Sequence, residues 1–184
     1  MDKRQQLIKS ATKLFVENGF EHTPTSKISK EAGVATGTLF TYFKSKEDLI
    51  NKVYFEIKKE MHVDVNSHLE ISEDIVESFR SLWINLMNWG YKNPLKAQFM
   101  ERFHGSVYVT KISPNQLQTN TDKGTRLVEK VIKNKLIKNL SFDVFESLTN
   151  SIFYSFVKKA IQKKKLDKNF LELSWNVYWD AIRK

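Results

Sequence analysis

The segment from Pro24 to Phe43 constrains the fold more than any other part of the chain. It reads PTSKISKEAGVATGTLFTYF, with Ile28 and Ala32 one helical turn apart ahead of Gly33. Glycine adopts the left-handed conformation that ends a helix without steric strain, so Gly33 indicates a sharp turn between two short helices. A helix-turn-helix of this kind predicts a DNA-binding module whose second helix enters the major groove.

The second short helix is predicted to present a small polar surface. It starts near Ala35 or Thr36 and carries Leu39, Phe40 and Phe43, which we expect to form one apolar face. Short side chains on the other face let the backbone approach base edges, and a threonine methyl can contact the methyl group of thymine. These residues are Thr36, Gly37, Thr38 and Thr41.

Hydroxyl side chains are placed where they can cap the helices of this module. Thr25 or Ser26 can cap the first short helix, because a hydroxyl at the N-cap accepts a bond from an unpaired backbone N–H. Ser45 and Asp48 have the spacing of a capping box, which predicts that the next helix starts at Ser45. The module therefore leads directly into a further helix.

The residues from Gly33 to Leu49 follow the pattern G-V-x-x-G-T-L-x-x-Y-F-x-S-K-E-D-L, and with it the first fifty residues or so resemble the TetR family of bacterial transcriptional repressors. The resemblance implies an all-α fold of about nine helices. Three N-terminal helices would form the DNA-binding domain, and a variable helical C-terminal domain would dimerise and bind an effector. We place these domains at residues 1–46 and 47–184.

The resemblance also implies roles for single residues. Matching positions imply phosphate contacts at Thr25, Tyr42 and Lys46, and contacts in or near the groove along the second short helix. The full predicted DNA-binding set is Thr25, Ser26, Ala35, Thr36, Gly37, Thr38, Thr41, Tyr42 and Lys46.

Periodic apolar residues predict helices through the rest of the chain. Beyond the module, the predicted helices span about 3–18, 45–66, 73–93, 95–105, 127–137, 141–164 and 167–182. Residues 107–121, which include Pro114, are predicted to form a loop with a helical start near Asn115. The helix that starts at Ser45 is the predicted mechanical connection between the domains.

Two features of the C-terminal region suggest partners. The last two helices are apolar and can pair with the same two helices of a second copy, as the resemblance implies, although an intramolecular core would show the same pattern. Large apolar side chains favour a pocket for an apolar or weakly polar effector, although such stripes are also typical of plain core. The candidate pocket residues are Trp83, Met87, Tyr91, Phe99, Met100, Phe103, Phe153, Phe156 and Trp175.

Composition narrows the functional classes. The chain has 184 residues, no cysteine and a net charge of +9, which favours a polyanionic partner. Its histidines and glycines form neither a zinc-protease motif nor a phosphate-binding loop, so we expect no metal, no cofactor and no enzymatic activity. With neither a leader peptide nor a long apolar run, a cytoplasmic protein without a membrane span is expected.

These observations together predict a homodimeric repressor that a small-molecule effector releases from a palindromic double-stranded DNA operator. Three alternatives remain open at this stage. The positive charge is also typical of a basic helical protein that binds DNA non-specifically or that binds a membrane surface. A helical enzyme that uses the aromatic pocket is the third.

Overall fold

The computed structural model describes residues 2–108 and 122–184, and the predicted all-α architecture is confirmed. Nine helices lie in these two ranges, and none of the nine is long and apolar enough to cross a membrane. In chain order they are α1 (Lys3–Asn18), α2 (Thr25–Glu31), α3 (Thr36–Tyr42), α4 (Lys46–Ser67), α5 (Ile75–Lys92), α6 (Pro94–His104), α7 (Lys123–Lys133), α8 (Phe142–Lys163) and α9 (Lys168–Ile182).

The described residues divide into two compact units. One unit comprises residues 2–59 and 98–108, and the other comprises residues 60–97 and 122–184. Helices α4 and α6 each contribute residues to both units. The predicted domain boundary between residues 46 and 47 stays a prediction. The loop predicted for residues 107–121 lies, from residue 109 onwards, outside the described residues.

Aromatic side chains form the core of the first unit. The ring of Phe20 lies 5.3 Å from that of Phe15 and 5.5 Å from that of Phe99, while Tyr54 stacks on Phe103 with ring centroids 4.1 Å apart. Such ring pairs contribute about 0.5–1.5 kcal/mol each beyond the area they bury. They join α1 and the start of α4 to the second half of α6.

The helix starts in this unit confirm one predicted cap and correct another. The Ser45 hydroxyl oxygen accepts from the backbone N–H of Asp48 at 3.0 Å, so the predicted cap of α4 is confirmed. The prediction that Thr25 or Ser26 caps α2 is wrong. Both residues lie inside α2, and the N-cap position belongs to Pro24, whose side chain has no polar atom with which to cap.

Helices α5, α7, α8 and α9 pack around large side chains in the second unit. Trp83 stacks on Tyr178 with ring centroids 4.0 Å apart, and its indole N–H donates to the Ser174 hydroxyl at 3.0 Å. Gly90 brings α5 close to α8, because a Cβ at this position would lie 2.8 Å from Val157 Cγ2 and 2.9 Å from Phe153 Cζ. The α5–α8 contact therefore requires a residue without a side chain.

Helix α7 begins and ends about one turn earlier than its sequence predicts. The prediction extended this helix to Ile137, but α7 ends at Lys133. Lys135 has a φ of 55°, which is incompatible with a continuing right-handed helix. Ile137 lies outside the helix, where it is buried and forms an isolated antiparallel bridge with Arg183.

We expect Gly90→Ala to lower the free energy of unfolding by about 1–3 kcal/mol, because the added methyl overpacks the α5–α8 contact. Gly37→Ala is the matched control, since no atom lies within 4 Å of a Cβ built there. It should be neutral or stabilising by up to about 1 kcal/mol, as alanine is the better helix former. Urea denaturation followed by circular dichroism measures both. Equal stabilities would contradict the close contact at Gly90.

Burial, with a smaller contribution from Lys58, lowers the pKa of His104 to about 4. An unfolded histidine protonates near pH 6.5, so the stability linked to this residue is complete above that pH and is lost as the pH falls from 6.5 towards 4. We expect the unfolding free energy of His104→Gln to depend less on pH in this window, by up to about 1.4 kcal/mol per pH unit.

Urea denaturation at a series of pH values checks this prediction. His22→Gln removes an exposed histidine and serves as the control. If the two variants showed the same slope of stability against pH, the neutral state of the half-buried His104 would be wrong.

Candidate nucleic-acid interface and internal cavity

Two buried side chains determine which face of α3 is free. Leu39 is 0% exposed and Phe43, which directly follows the helix, is 1% exposed, so both belong to the core of the first unit. Successive helical residues are about 100° apart, which places Gly37 and Thr41 opposite these two side chains. Both of these residues are exposed. The threonine-rich face is therefore the outward face of α3.

Phe40 corrects the sequence prediction. It was expected to share the apolar face with Leu39 and Phe43, but its side chain is 49% exposed. With 100° between residues, Phe40 lies about 80° from the direction midway between those two side chains. It shares the flank of α3 with Thr36, one turn earlier, and so adds an aromatic surface beside the polar face.

Lys46 is held at the turn between α1 and α2. Its ammonium group donates to the backbone carbonyl of Glu21 at 3.2 Å, and the carboxylate of Glu21 accepts from the Tyr108 hydroxyl at 3.1 Å. Burial and this bond raise the pKa of Tyr108. The phenol therefore stays protonated as the donor, and one glutamate orients both Lys46 and Tyr108.

The predicted DNA-binding residues all lie in the first unit, and most of them are accessible. Thr25, Thr38 and Lys46 are partly buried. The hydroxyl of Thr41 donates to the carbonyl of Gly37 at 3.2 Å, which leaves its oxygen able to accept a further bond. The exposed members of the set are Ser26, Ala35, Thr36, Gly37, Thr41 and Tyr42.

The second unit contains a half-open cavity of about 200 Å³. Helices α4, α5, α7, α8 and α9 all contribute to its walls. Most of the lining is apolar or aromatic. The lining residues are Met61, His62, Val65, Asn66, Phe79, Leu82, Trp83, Leu86, Asp122, Gly124, Thr125, Val128, Phe145, Thr149 and Tyr178.

The polar residues on one side of the cavity bond to one another. His62 Nδ1 donates to Asp122 Oδ2 at 2.8 Å, and Asp122 Oδ1 accepts from the backbone N–H of Thr125 at 2.8 Å. Asn66 Oδ1 accepts from the backbone N–H of Gly124 at 2.7 Å. Burial opposes ionisation of Asp122, but the bonds from Thr125 and His62 leave its pKa below the ordinary value.

Of the nine predicted pocket residues, the structure places only Trp83 in the lining of this cavity. Met87, Phe153 and Trp175 are buried elsewhere in the second unit, and Tyr91 is half-buried. Phe156 lines a surface groove between α8 and α9. The remaining three, which belong to the first unit, are Phe99, Met100 and Phe103.

The difference between the predicted and the observed lining has two causes. The prediction selected residues by aromatic size, whereas the cavity face of α5 consists of residues at the spacing i, i+3, i+4 and i+7, which a helical projection identifies. These are Phe79, Leu82, Trp83 and Leu86. The His62–Asp122 pair gave no local signal, because 60 residues separate its members.

The segment that contains α1, α2 and α3 is similar to known bacterial regulatory proteins. Residues 7–53 match the family model described as bacterial regulatory proteins, tetR family. Over 54 residues the chain is 44% identical to the fatty acid metabolism regulator protein of Bacillus subtilis (strain 168), an alignment that covers 29% of this chain and 28% of that regulator.

Two solved structures are similar over the whole chain. A TetR-family transcription regulator from Shewanella sp. PV-4 has a TM-score of 0.89 at 23% identity, with 100% of both chains covered. A TetR-family transcriptional regulator from Vibrio parahaemolyticus has a TM-score of 0.74 at 26% identity, with 100% of this chain and 99% of that chain covered.

The segment that matches the family model contains α1, α2, α3 and the start of α4. It therefore includes both the buried contacts that orient α3 and the outward threonine-rich face. The similarity to solved structures extends the same fold through the second unit. Residues 7–53 therefore carry the segment typical of the TetR family of bacterial regulatory proteins, and the chain as a whole has the fold of solved TetR-family regulators.

Proposed function

We propose that this protein is a DNA-binding transcriptional regulator, that it acts as a homodimeric repressor in the cytoplasm, and that a small-molecule effector releases it from a palindromic operator. The observation that carries the proposal is the outward face of α3, where Gly37 and Thr41 are exposed opposite the buried Leu39 and Phe43. A short polar face on a firmly packed helix suits close approach to base edges in the major groove.

Each DNA-facing residue has a role that follows from its chemistry. Lys46, Tyr42 and Thr25 bind phosphates through an ammonium group and two hydroxyls, which position the protein without reading the sequence. Thr38 and Thr41 read bases through hydroxyls and methyl groups. The proposed DNA-binding domain is residues 1–46, and residues 47–184 form the effector-binding and dimerisation domain.

Apolar residues on α8 and α9 support the homodimer. Phe142 is 68% exposed and Leu173 is 53% exposed, while Val144 and Val177 are also exposed. Pairing α8 and α9 with the same helices of a second copy would remove this apolar surface from water. A two-fold dimer presents two α3 helices to two inverted half-sites, which is the symmetry of a palindromic operator.

The cavity supports the effector role. Helix α4 begins at Lys46, in the proposed phosphate-binding set, and its later residues Met61, His62 and Val65 line the cavity. A ligand that prefers one position of α4 therefore changes the energy of the helix that carries Lys46. Release from DNA requires such a preference, because a ligand with equal affinity for both states shifts neither.

A basic helical protein that binds DNA non-specifically is the second candidate, and the net charge of +9 favours it. The two candidates differ in how their affinity for DNA depends on the DNA sequence.

We expect the full chain to bind a palindromic fragment from upstream of its own gene at least about 10³-fold more tightly than a scrambled fragment. Fluorescence anisotropy at several salt concentrations measures this. Equal affinity for both fragments at every salt concentration would establish the non-specific protein instead.

Lys46→Ala should weaken binding to both fragments alike and lower the slope of log affinity against log salt by about one, because one phosphate contact is lost. Lys52→Ala, an exposed lysine further along α4, is the control and should keep the slope. An unchanged slope for Lys46→Ala would remove its phosphate role.

Thr38→Ala should instead change the base preference at one base pair of each half-site, by about 1–3 kcal/mol of binding free energy.

A further inference from the structure

The volume of the cavity indicates the size of the compound that it can hold within its walls. At about 200 Å³ it lies below the ~300–1,000 Å³ typical of pockets for drug-sized ligands. An apolar cavity of ~150 Å³ in another protein holds one benzene molecule. A compound of one ring or two fused rings therefore matches the space, whereas a long acyl chain exceeds it.

The walls of the cavity favour a flat aromatic compound. Phe79, Trp83, Phe145 and Tyr178 supply rings from three different helices, and Trp83 and Tyr178 are already stacked within 8° of parallel. A further ring gains edge or offset-stacked contacts of about 0.5–1.5 kcal/mol with each such partner. An aliphatic chain gains only the burial of its surface.

The charged groups of the lining disfavour an anionic ligand. The ring nitrogen Nδ1 of His62 is committed to the carboxylate of Asp122 at 2.8 Å, and that carboxylate is also bound by the backbone of Thr125. A ligand carboxylate would meet the negative charge of Asp122 while it loses its own hydration, which costs several kcal/mol without a compensating partner. A neutral ring avoids this cost.

The phenol of Tyr178 offers an acceptor in the lining. The Thr149 hydroxyl donates to the carbonyl of Phe145 at 2.8 Å, so the bond of 3.1 Å between Thr149 and Tyr178 uses the phenol proton of Tyr178. A hydroxyl oxygen that donates its proton can still accept a bond. The phenolic oxygen of Tyr178 is therefore able to accept from an N–H or O–H group.

We propose that this cavity binds a neutral aromatic compound of one ring or two fused rings that carries an N–H or O–H donor for Tyr178. The inference rests on the proposed effector role of the cavity and adds the chemical class of the effector. Indole is a suitable probe of this class, because it has two fused rings, no charge and one N–H group.

The first experiment compares probes on the unmodified full-length chain by titration calorimetry. We expect indole to bind at least about tenfold more tightly than indole-3-carboxylate, which has the same rings and a negative charge, and than decanoate. If either anion bound as tightly as indole, or if indole gave no binding at millimolar concentration, the proposed ligand class would be wrong.

Matched variants locate the binding. Val128→Phe fills the cavity and should weaken indole binding at least about tenfold, whereas Ile132→Phe, one turn later on α7 and 44% exposed, should keep it. Tyr178→Phe should weaken binding of indole more than that of naphthalene, which has no donor. Circular dichroism confirms that each variant folds, and the probe comparison on the unmodified chain needs no variant. Equal indole affinity in Val128→Phe and Ile132→Phe would place the binding elsewhere.

Operator binding separates this inference from the proposed function. If indole binds the cavity and leaves operator affinity unchanged, the effector role fails while the ligand class stands. If decanoate releases the operator and indole does not bind, the ligand class fails while the repressor stands. We expect indole both to bind and to lower operator affinity at least about fivefold, the lower end of typical allosteric coupling.

Discussion

The burial of Leu39 and Phe43 is the contact on which the orientation of α3 depends. Helix α3 has seven residues, too few to be stable alone, so its conformation and direction come from packing. These two side chains lie about 40° apart around the helix axis and fix its inner face, which leaves Gly37 and Thr41 on the outer face. Aromatic pairs in the same unit join α1 and α4 to α6.

In the second unit, the side chain of Asp122 joins two helices. Its carboxylate caps α7 through the backbone N–H of Thr125 and also binds His62 of α4. The start of one helix is thereby joined to the side of another at the lining of the cavity. A ligand that displaces this carboxylate would disturb both, because each helix has a hydrogen bond that ends on the same group.

The sequence predicts the first unit well because its signals are local. Gly33 indicates the turn, and Ser45 indicates the start of α4, so a few neighbouring residues determine each element. Phe40 was misplaced because a helix of two turns offers too few residues to separate its flank from its inner face. A pocket was predicted, but apart from Trp83 its lining was not, since its walls come from five helices and a pair such as His62 and Asp122 meets only through tertiary packing.

A hydroxyl-radical footprint on the DNA upstream of this gene tests most directly whether a pair of α3 helices reads a symmetrical operator. The predicted result is protection of two inverted half-sites whose centres lie about 34–36 Å apart, or a multiple of one helical turn, with two chains bound per site. Uniform weak protection without inverted symmetry, or one chain on a single half-site, would contradict the homodimeric regulator.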